Sequence, residues 1–220
     1  MDTLEKAGGN TDSIRPGIPS LRGIHHLALV TDDMKATCDF YVRVMGMPLV
    51  HALTTGGPDP NDGGSGLKHT EVKGIPPFPH IPHVFFDMGG DSLLAFFEYP
   101  KGLARQNRDL PGGMQHIAFH VPMDRFDKVI EHVKSCGINV IGPVSLGGRF
   151  WSAYFYDPNG IRLEIATSRA PAHLGVVPSA LQTEEEARTE LETLFDDPEV
   201  INQWLAKMPL KSPTKEESMQ

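Results

Sequence analysis

The sequence predicts an α+β fold in which a unit of one strand, one helix and three strands occurs twice, followed by a helical tail. The first observation is a repeated segment: GIHHLA at 23–28 returns as GMQHIA at 113–118. The second is the order of patterns after each copy, a helical apolar stripe and then three short apolar runs. A repeat of this length is typical of a duplicated module. We therefore expect module 1 at 22–100 and module 2 at 113–168.

The amino-acid composition is that of a globular protein and argues against nucleic-acid and membrane partners. The 220 residues are 40% hydrophobic and 22% charged, which is ordinary for a globular chain. The formal net charge of -8 and the absence of a basic run argue against nucleic acid as a partner. No apolar run approaches the roughly 20 residues that span a bilayer, and 1–21 lacks the apolar stretch of a secretory signal. We expect a cytoplasmic protein without a membrane partner, whose Cys38 and Cys136 are buried, reduced thiols on apolar helix faces.

Module 1 begins with an apolar strand at 24–30. Short oxygen-bearing side chains at 31–33 suit the start of a helix. The predicted buried stripe of that helix is Met34, Cys38, Tyr41 and Met45, with Gly46 at its end. The later strands are predicted at 49–53, 84–88 and 92–99.

An insert at 55–82 interrupts module 1. Its glycines and prolines exclude regular structure over most of its length. Aromatic and histidine side chains in and directly after it suit a lid over a pocket: His69, Phe78, His80 and His83. A mobile surface insertion explains the same composition equally well.

Module 2 repeats the order without a long insert. The strands are predicted at 114–121, 138–141, 151–156 and 161–167, with a helix at 122–136. The inward side chains of that helix are predicted to be Phe126, Val129, Val133 and Cys136. Outside the modules we expect a flexible arm at 1–21 and a tail at 169–220. The tail holds helices at 183–195 and 198–208, the second with Val200, Ile201 and Trp204 inward.

The repeated histidines His26 and His116 indicate a metal site. If the modules pair about a pseudo-twofold axis, the two imidazoles face each other and supply two ligands. Glu164 lies in a strand that otherwise resembles core, where an ionised carboxylate is costly unless a cation or hydrogen bonds compensate. Two histidines and one carboxylate form the facial triad that leaves positions open on Fe(II).

The place opposite Glu164 in module 1 decides the number of ligands. Matching the final strands by length puts Ala95 there, whereas Glu98 lies three residues further and faces the other side of an undistorted strand. Glu98 therefore stays an alternative fourth ligand. Of the other histidines, His120 faces the same side as His116, and His132 lies on the outer face of a helix.

The repeated modules, the two histidines and the DPNGIRLE ending at 157–164 resemble the vicinal oxygen chelate superfamily, which includes glyoxalases, epimerases, extradiol dioxygenases and bleomycin-resistance proteins. The resemblance covers about 22–168. It implies two βαβββ modules whose strands form a curled mixed sheet around a metal cavity. It also implies that the metal chelates two adjacent oxygens of a substrate.

Within that superfamily, the ligand set His26, His116 and Glu164 resembles that of extradiol dioxygenases. Tyr154 matches the tyrosine of the extradiol signature, three residues before the Asp-Pro pair. The signature histidine upstream is absent from 144–150, and His120 or an insert histidine such as His80 can take its acid-base role.

The resemblance implies an Fe(II) dioxygenase acting on a small aromatic or enediol-like substrate, with Mn, Zn, Ni or Co as other candidate metals. Tyr154 and His120 are the expected catalytic residues, and Phe96, Trp151 and Phe155 the expected pocket walls. One alternative is a glyoxalase- or epimerase-like lyase or isomerase with Glu98 as ligand or base. Another is a metal-free small-molecule-binding protein. The site can lie within one chain or across a homodimer.

Overall fold

The computed structural model describes residues 23–55, 81–146, 150–168 and 180–211. The predicted arm at 1–21, the insert residues 56–80 with His69, Phe78 and His80, and residues 212–220 lie outside them. Among the described helices, none is long and apolar enough to cross a membrane.

Module 1 contains four strands and one helix within the described residues. In chain order these are β1 (His26–Thr31), α1 (Met34–Asp39) continued by a π-helical turn (Phe40–Val44), β2 (Leu49–Thr55), β3 (Ile81–Asp87) and β4 (Leu93–Glu98). The strands form one sheet in the order β1-β4-β3-β2. β1 and β4 run parallel, and the other pairs are antiparallel.

Module 2 has the same arrangement. Its elements are β5 (Ile117–His120), α2 (Met123–Ser135), β6 (Ile141–Leu146), β7 (Phe150–Tyr156) and β8 (Arg162–Ser168). The sheet order is β5-β8-β7-β6, again with one parallel pair. The chain divides into two compact units between Leu103 and Ala104, each with one of these sheets. The predicted α+β class with two βαβββ modules is confirmed.

The core of module 1 lies between its helix and one face of the sheet. Tyr41 is fully buried, with its ring 5.1 Å from that of Phe96 and 5.5 Å from that of Phe86. Of the predicted stripe, only Tyr41 is buried, while the neighbouring Phe40 and Val44 are buried instead. Thr37 of α1 is buried as well, so the buried residues keep helical spacings of three and four, and the buried face is displaced by one residue from the predicted stripe.

The core of module 2 is built in the same way. The buried residues of α2 are Phe126, Ile130 and Val133. Ile130 therefore takes the inward place predicted for Val129, since spacings of four and three keep all three side chains on one helix face.

The two cysteines are less buried than predicted. Cys38 and Cys136 are free thiols, and both are only partly buried. Burial, and then the charge of Glu98, raise the pKa of the Cys38 thiol.

The turn between β7 and β8 is held by the buried carboxylate of Asp157. Its Oδ1 accepts from the backbone N–H groups of Asn159 and Ile161, at 2.9 and 2.8 Å. Gly160 has a φ of 78°, which glycine adopts without strain. From the linker between the modules, Arg105 donates to the carbonyl of Asn159 at 3.0 Å. The turn is thus stabilised by Asp157 within it and by Arg105 from the linker.

The tail forms a pair of helices, α3 (Glu184–Leu194) and α4 (Pro198–Leu205). Ala187, Ile201 and Leu205 form its small buried cluster. The side chain of Trp204 was predicted to point inward, but it is 42% exposed and packs edge-on against Phe195.

Glu98 lies on the helix side of the first sheet. Its Oε1 accepts from the backbone N–H of Met34, the first residue of α1, at 2.9 Å. A carboxylate at this helix end satisfies a free amide and complements the helix dipole.

We expect Glu98→Ala to lower the free energy of unfolding by about 1 kcal/mol, as for loss of a helix cap, and to leave metal content unchanged. Urea denaturation and elemental analysis measure the two effects. Glu98→Gln is the matched control, because its amide oxygen can still accept from Met34. Metal loss in Glu98→Ala without loss of stability would instead make Glu98 a ligand.

Candidate metal centre

The central residue of the site in module 2 is Glu164, on the sheet face opposite α2. In β8 it pairs with Ala118 of β5 on one side and Tyr154 of β7 on the other. Strand alternation therefore puts Tyr154 and Ser152 on the same face as Glu164. His116 directly precedes β5 and reaches the same face.

Glu164 is buried and both of its oxygens are engaged. Oε2 lies 2.8 Å from Nε2 of His116, and Oε1 accepts a hydrogen bond from the hydroxyl of Ser152. Nδ1 of His116 donates to the side-chain oxygen of Gln115. The cost of burying the carboxylate is therefore offset by two polar partners.

The facing atoms of His116 and Glu164 are of a kind that can bind a cation. The oxygen of Gln115 can only accept, so Nδ1 of His116 carries hydrogen. A neutral imidazole then has a lone pair on Nε2, and an ionised Glu164 offers only lone pairs on Oε2. These lone pairs face each other, with Nε2 and Oε2 2.8 Å apart, and one cation can bind both atoms. An imidazole nitrogen and a carboxylate oxygen also suit a divalent metal, so the residues present fit one.

Tyr154 and Arg162 lie beside this pair. The ring of Tyr154 is edge-on to that of His116, with centroids 6.1 Å apart. The guanidinium of Arg162 lies 4.5 Å from the centre of the Tyr154 ring, a cation–π contact. His120 is on the same strand face as His116, as predicted, but four residues further along, which is roughly 13 Å in an extended strand.

The corresponding face of module 1 carries imidazoles around one phenyl ring. The centroid of Phe85 lies 6.1 Å from that of His26, 5.7 Å from that of His51 and 4.3 Å from that of His83. His83 also stacks on Phe97, with centroids 3.7 Å apart. His83 therefore belongs to β3 rather than to the predicted lid.

His83 is buried and uncharged at neutral pH. Burial, and then the charges of His26 and His51, lower its pKa to about 4. Its Nε2 has no hydrogen-bond partner among the described residues. The face around His26 is therefore rich in imidazole and phenyl rings, in contrast to the carboxylate-centred face of module 2.

The strand registers identify the place in module 1 that corresponds to Glu164. Ala28 pairs with Ala95 as Ala118 pairs with Glu164, and Phe85 pairs with Ala95 as Tyr154 pairs with Glu164. The predicted equivalence of Ala95 and Glu164 is therefore confirmed. Among the described residues, no group of three or more His, Cys, Asp or Glu side chains is close enough to hold a metal ion.

The predicted pocket walls Phe96, Trp151 and Phe155 lie on the helix sides of their sheets. Phe96 packs against Tyr41, and Phe155 is buried and alternates with the site-facing Tyr154. Trp151 has the same strand parity as Phe155. Phe85, Phe97 and Tyr154 are among the aromatic residues that do lie on the site faces.

Sequence reasoning missed Ser152, Gln115 and Arg162. A signal existed for two of them. Arg162 is two residues before Glu164 on the same strand and therefore on the same face. Gln115 occupies the place of His25 in the repeat. Nothing in the sequence marks Ser152, because its role depends on the pairing of β7 with β8.

Comparison with known proteins supports the fold. The chain is 24% identical over 149 residues to the uncharacterized protein YwkD of Bacillus subtilis (strain 168), covering 66% of this chain and 96% of that protein. A glyoxylase/bleomycin resistance protein/dioxygenase domain from Frankia sp. EAN1pec superposes with a TM-score of 0.51 at 20% identity, covering 68% of this chain and 100% of that one.

A second similar structure is a mutant of the fosfomycin resistance protein FosX from Listeria monocytogenes, complexed with Mn(II) and 1S,2S-dihydroxypropylphosphonic acid. It covers 72% of this chain and 94% of its own, with 19% identity and a TM-score of 0.46. A family model described as Glyoxalase/Bleomycin resistance protein/Dioxygenase superfamily matches residues 23–165, which is most of the chain. With its two βαβββ modules and its repeated histidines, the chain belongs to this superfamily.

Proposed function

We propose that the protein is a mononuclear Fe(II) dioxygenase of the extradiol type, acting on a small aromatic or enediol-like substrate held through adjacent oxygens. Superfamily membership supports a metal-dependent enzyme in general terms. The observation that favours the dioxygenase is Ala95 at the place that corresponds to Glu164. It leaves two histidines and one carboxylate, the donor set of non-haem iron oxygenases.

His26, His116 and Glu164 are the proposed ligands. When bound, Fe(II) supplies a Lewis acid and open positions for substrate oxygens and dioxygen. The same donors accept Mn, Zn, Ni or Co, so metal identity is a separate measurement. Superfamily members typically act on small molecules and often form dimers, and both are expectations for this chain.

The surrounding residues have distinct proposed roles. Ser152 holds one oxygen of Glu164, so the other is directed toward His116. The hydroxyl of Tyr154 donates a hydrogen bond to a substrate oxygen. Arg162 holds the Tyr154 ring and adds a positive charge that suits an anionic substrate. His120 serves as the acid-base residue only for a substrate long enough to extend along β5 from His116.

A metal-dependent lyase or isomerase is the second candidate. It is favoured by the sequence at 144–150, which lacks the histidine of the extradiol signature. Glu98 is unsuited to be its base, because the carboxylate is bonded to Met34 on the helix side of the sheet. A metal-free binding protein is the third candidate, and elemental analysis of gently purified protein separates it from the other two.

Anaerobic reconstitution with Fe(II) tests the proposed function. We expect one iron per chain and dioxygen uptake with a catecholic substrate, followed with an oxygen electrode. In His116→Ala the loss of a ligand should abolish both iron binding and uptake. Tight binding of zinc or nickel with no dioxygen consumption across a substrate panel would contradict the dioxygenase and favour the lyase or isomerase.

Ser152→Ala tests the support of the carboxylate. Removing the hydroxyl leaves Oε1 of the buried Glu164 without its donor, so the carboxylate is less well oriented. We expect metal affinity to fall roughly 10–100-fold, as for other residues that orient a ligand. Competition with a chelator measures the affinity. Ser135→Ala is the matched control, because its hydroxyl bonds only a helix carbonyl. Equal affinities in the two variants would exclude this role for Ser152.

A further inference from the structure

We propose that His25 and Gln115 are positioning residues with the same role in the two modules. Each accepts a hydrogen bond from Nδ1 of the histidine that follows it, His26 or His116. The proton is thereby held on Nδ1, and Nε2 is left with the lone pair that binds metal. The proposal rests on the metal site proposed above and adds the residues that select the binding tautomer.

The second module fixes the direction of the hydrogen bond. The side-chain oxygen of Gln115 contacts Nδ1 of His116, and an amide oxygen can only accept. Nδ1 therefore carries the proton. Nε2 of the same ring is the atom that faces Glu164 at 2.8 Å. The ring is thus held with one nitrogen as a donor to Gln115 and the other directed to the proposed metal.

The first module repeats the contact with a different partner. Nδ1 of His25 lies 2.8 Å from Nδ1 of His26, and the two rings are steeply inclined, at 78°. One of these nitrogens must donate and the other accept. If His26 donates, as His116 does, His25 is the neutral tautomer with hydrogen on Nε2. Its Nδ1 lone pair then replaces the oxygen of Gln115.

The backbone explains how adjacent residues meet at one ring. Neighbours within a regular strand point to opposite faces, so they cannot bond each other's side chains in this way. β1 begins at His26 and β5 begins at Ile117, so His25 and Gln115 both precede their strands, although the carbonyl of His25 still accepts from the N–H of Leu93 in β4. Each can therefore turn toward the following imidazole. In both modules the contact is thus made by a residue that precedes the strand.

This arrangement has a chemical consequence. The bond made by one imidazole nitrogen determines which nitrogen is free to bind a metal. With Nδ1–H already held, His26 and His116 need no change of tautomer when a metal binds at Nε2. Without the acceptor, the proton of His26 is free to move to Nε2, the atom that must then be deprotonated for binding.

Nitrogen-15 spectra of the imidazoles in metal-free protein at about pH 8, where an ordinary histidine is neutral, test the first module directly. We expect His26 to carry hydrogen on Nδ1 in the wild type and in His25→Gln, whose amide oxygen can still accept. In His25→Leu the hydrogen should shift toward Nε2. His132→Gln removes an exposed imidazole on α2 and should leave His26 unchanged.

Metal titration against a chelator tests both modules. His25→Leu and Gln115→Leu should each weaken binding roughly 10–100-fold, whereas His25→Gln and Gln115→His should restore it to near the wild-type value. Circular dichroism confirms that each variant is folded. Recovery of affinity in His25→Gln and Gln115→His would exclude a purely structural role. The histidine and glutamine side chains differ in shape and share only an atom that can accept the hydrogen bond.

Two results would overturn the proposal. One is a His26 tautomer that is the same in the wild type and in His25→Leu. The other is an affinity that falls equally in the leucine and the restoring variants. If the wild type binds no metal, the proposed function fails, but the spectra need no metal and still decide the tautomer of His26.

Discussion

The buried carboxylate of Glu164 is the interaction on which the site depends. A charge at the centre of a sheet is stable only with fixed partners, and here Ser152 and His116 supply them from two further segments of the chain. The pairing of β8 with both β5 and β7 brings these partners together. The geometry of the site is thus a property of the sheet of module 2, and the turns and helix packing around it serve to maintain that sheet.

The duplication could be predicted because it leaves a local signal. The glycine, histidine and alanine of the repeated segment stand in fixed order, and the hydrophobic periods after them change from helix to strand in both copies. The register of Ala95 against Glu164 followed from strand lengths alone. Two predictions failed. The buried stripe of the first helix lies one residue from the predicted one, because that helix carries apolar side chains such as Val42 outside its buried face as well. His83, which follows a proline-rich run, lies in a strand.

For the site, the sequence identified the residues whose chemistry is unusual in their setting. A carboxylate within the apolar run around Glu164 and a histidine at equivalent places in two repeats are of this kind. Ser152 and Arg162 are ordinary strand residues until β7 and β8 are paired, so their contacts with Glu164 and Tyr154 could not be derived from a linear pattern. Phe155 was misplaced for the converse reason, since its hydrophobicity does not indicate which face of the strand it occupies.

The turn closed by Asp157 determines which side chains of β8 face the site. Side chains alternate between the faces of a strand, so a slip of one residue between β7 and β8 would exchange the two faces. Leu163 would then replace Glu164 beside His116, and the carboxylate would be driven into the apolar layer under α2. By bonding the backbone of Asn159 and Ile161, Asp157 fixes the number of residues in the turn. A side chain that need not touch substrate or metal thereby determines which residues form the site.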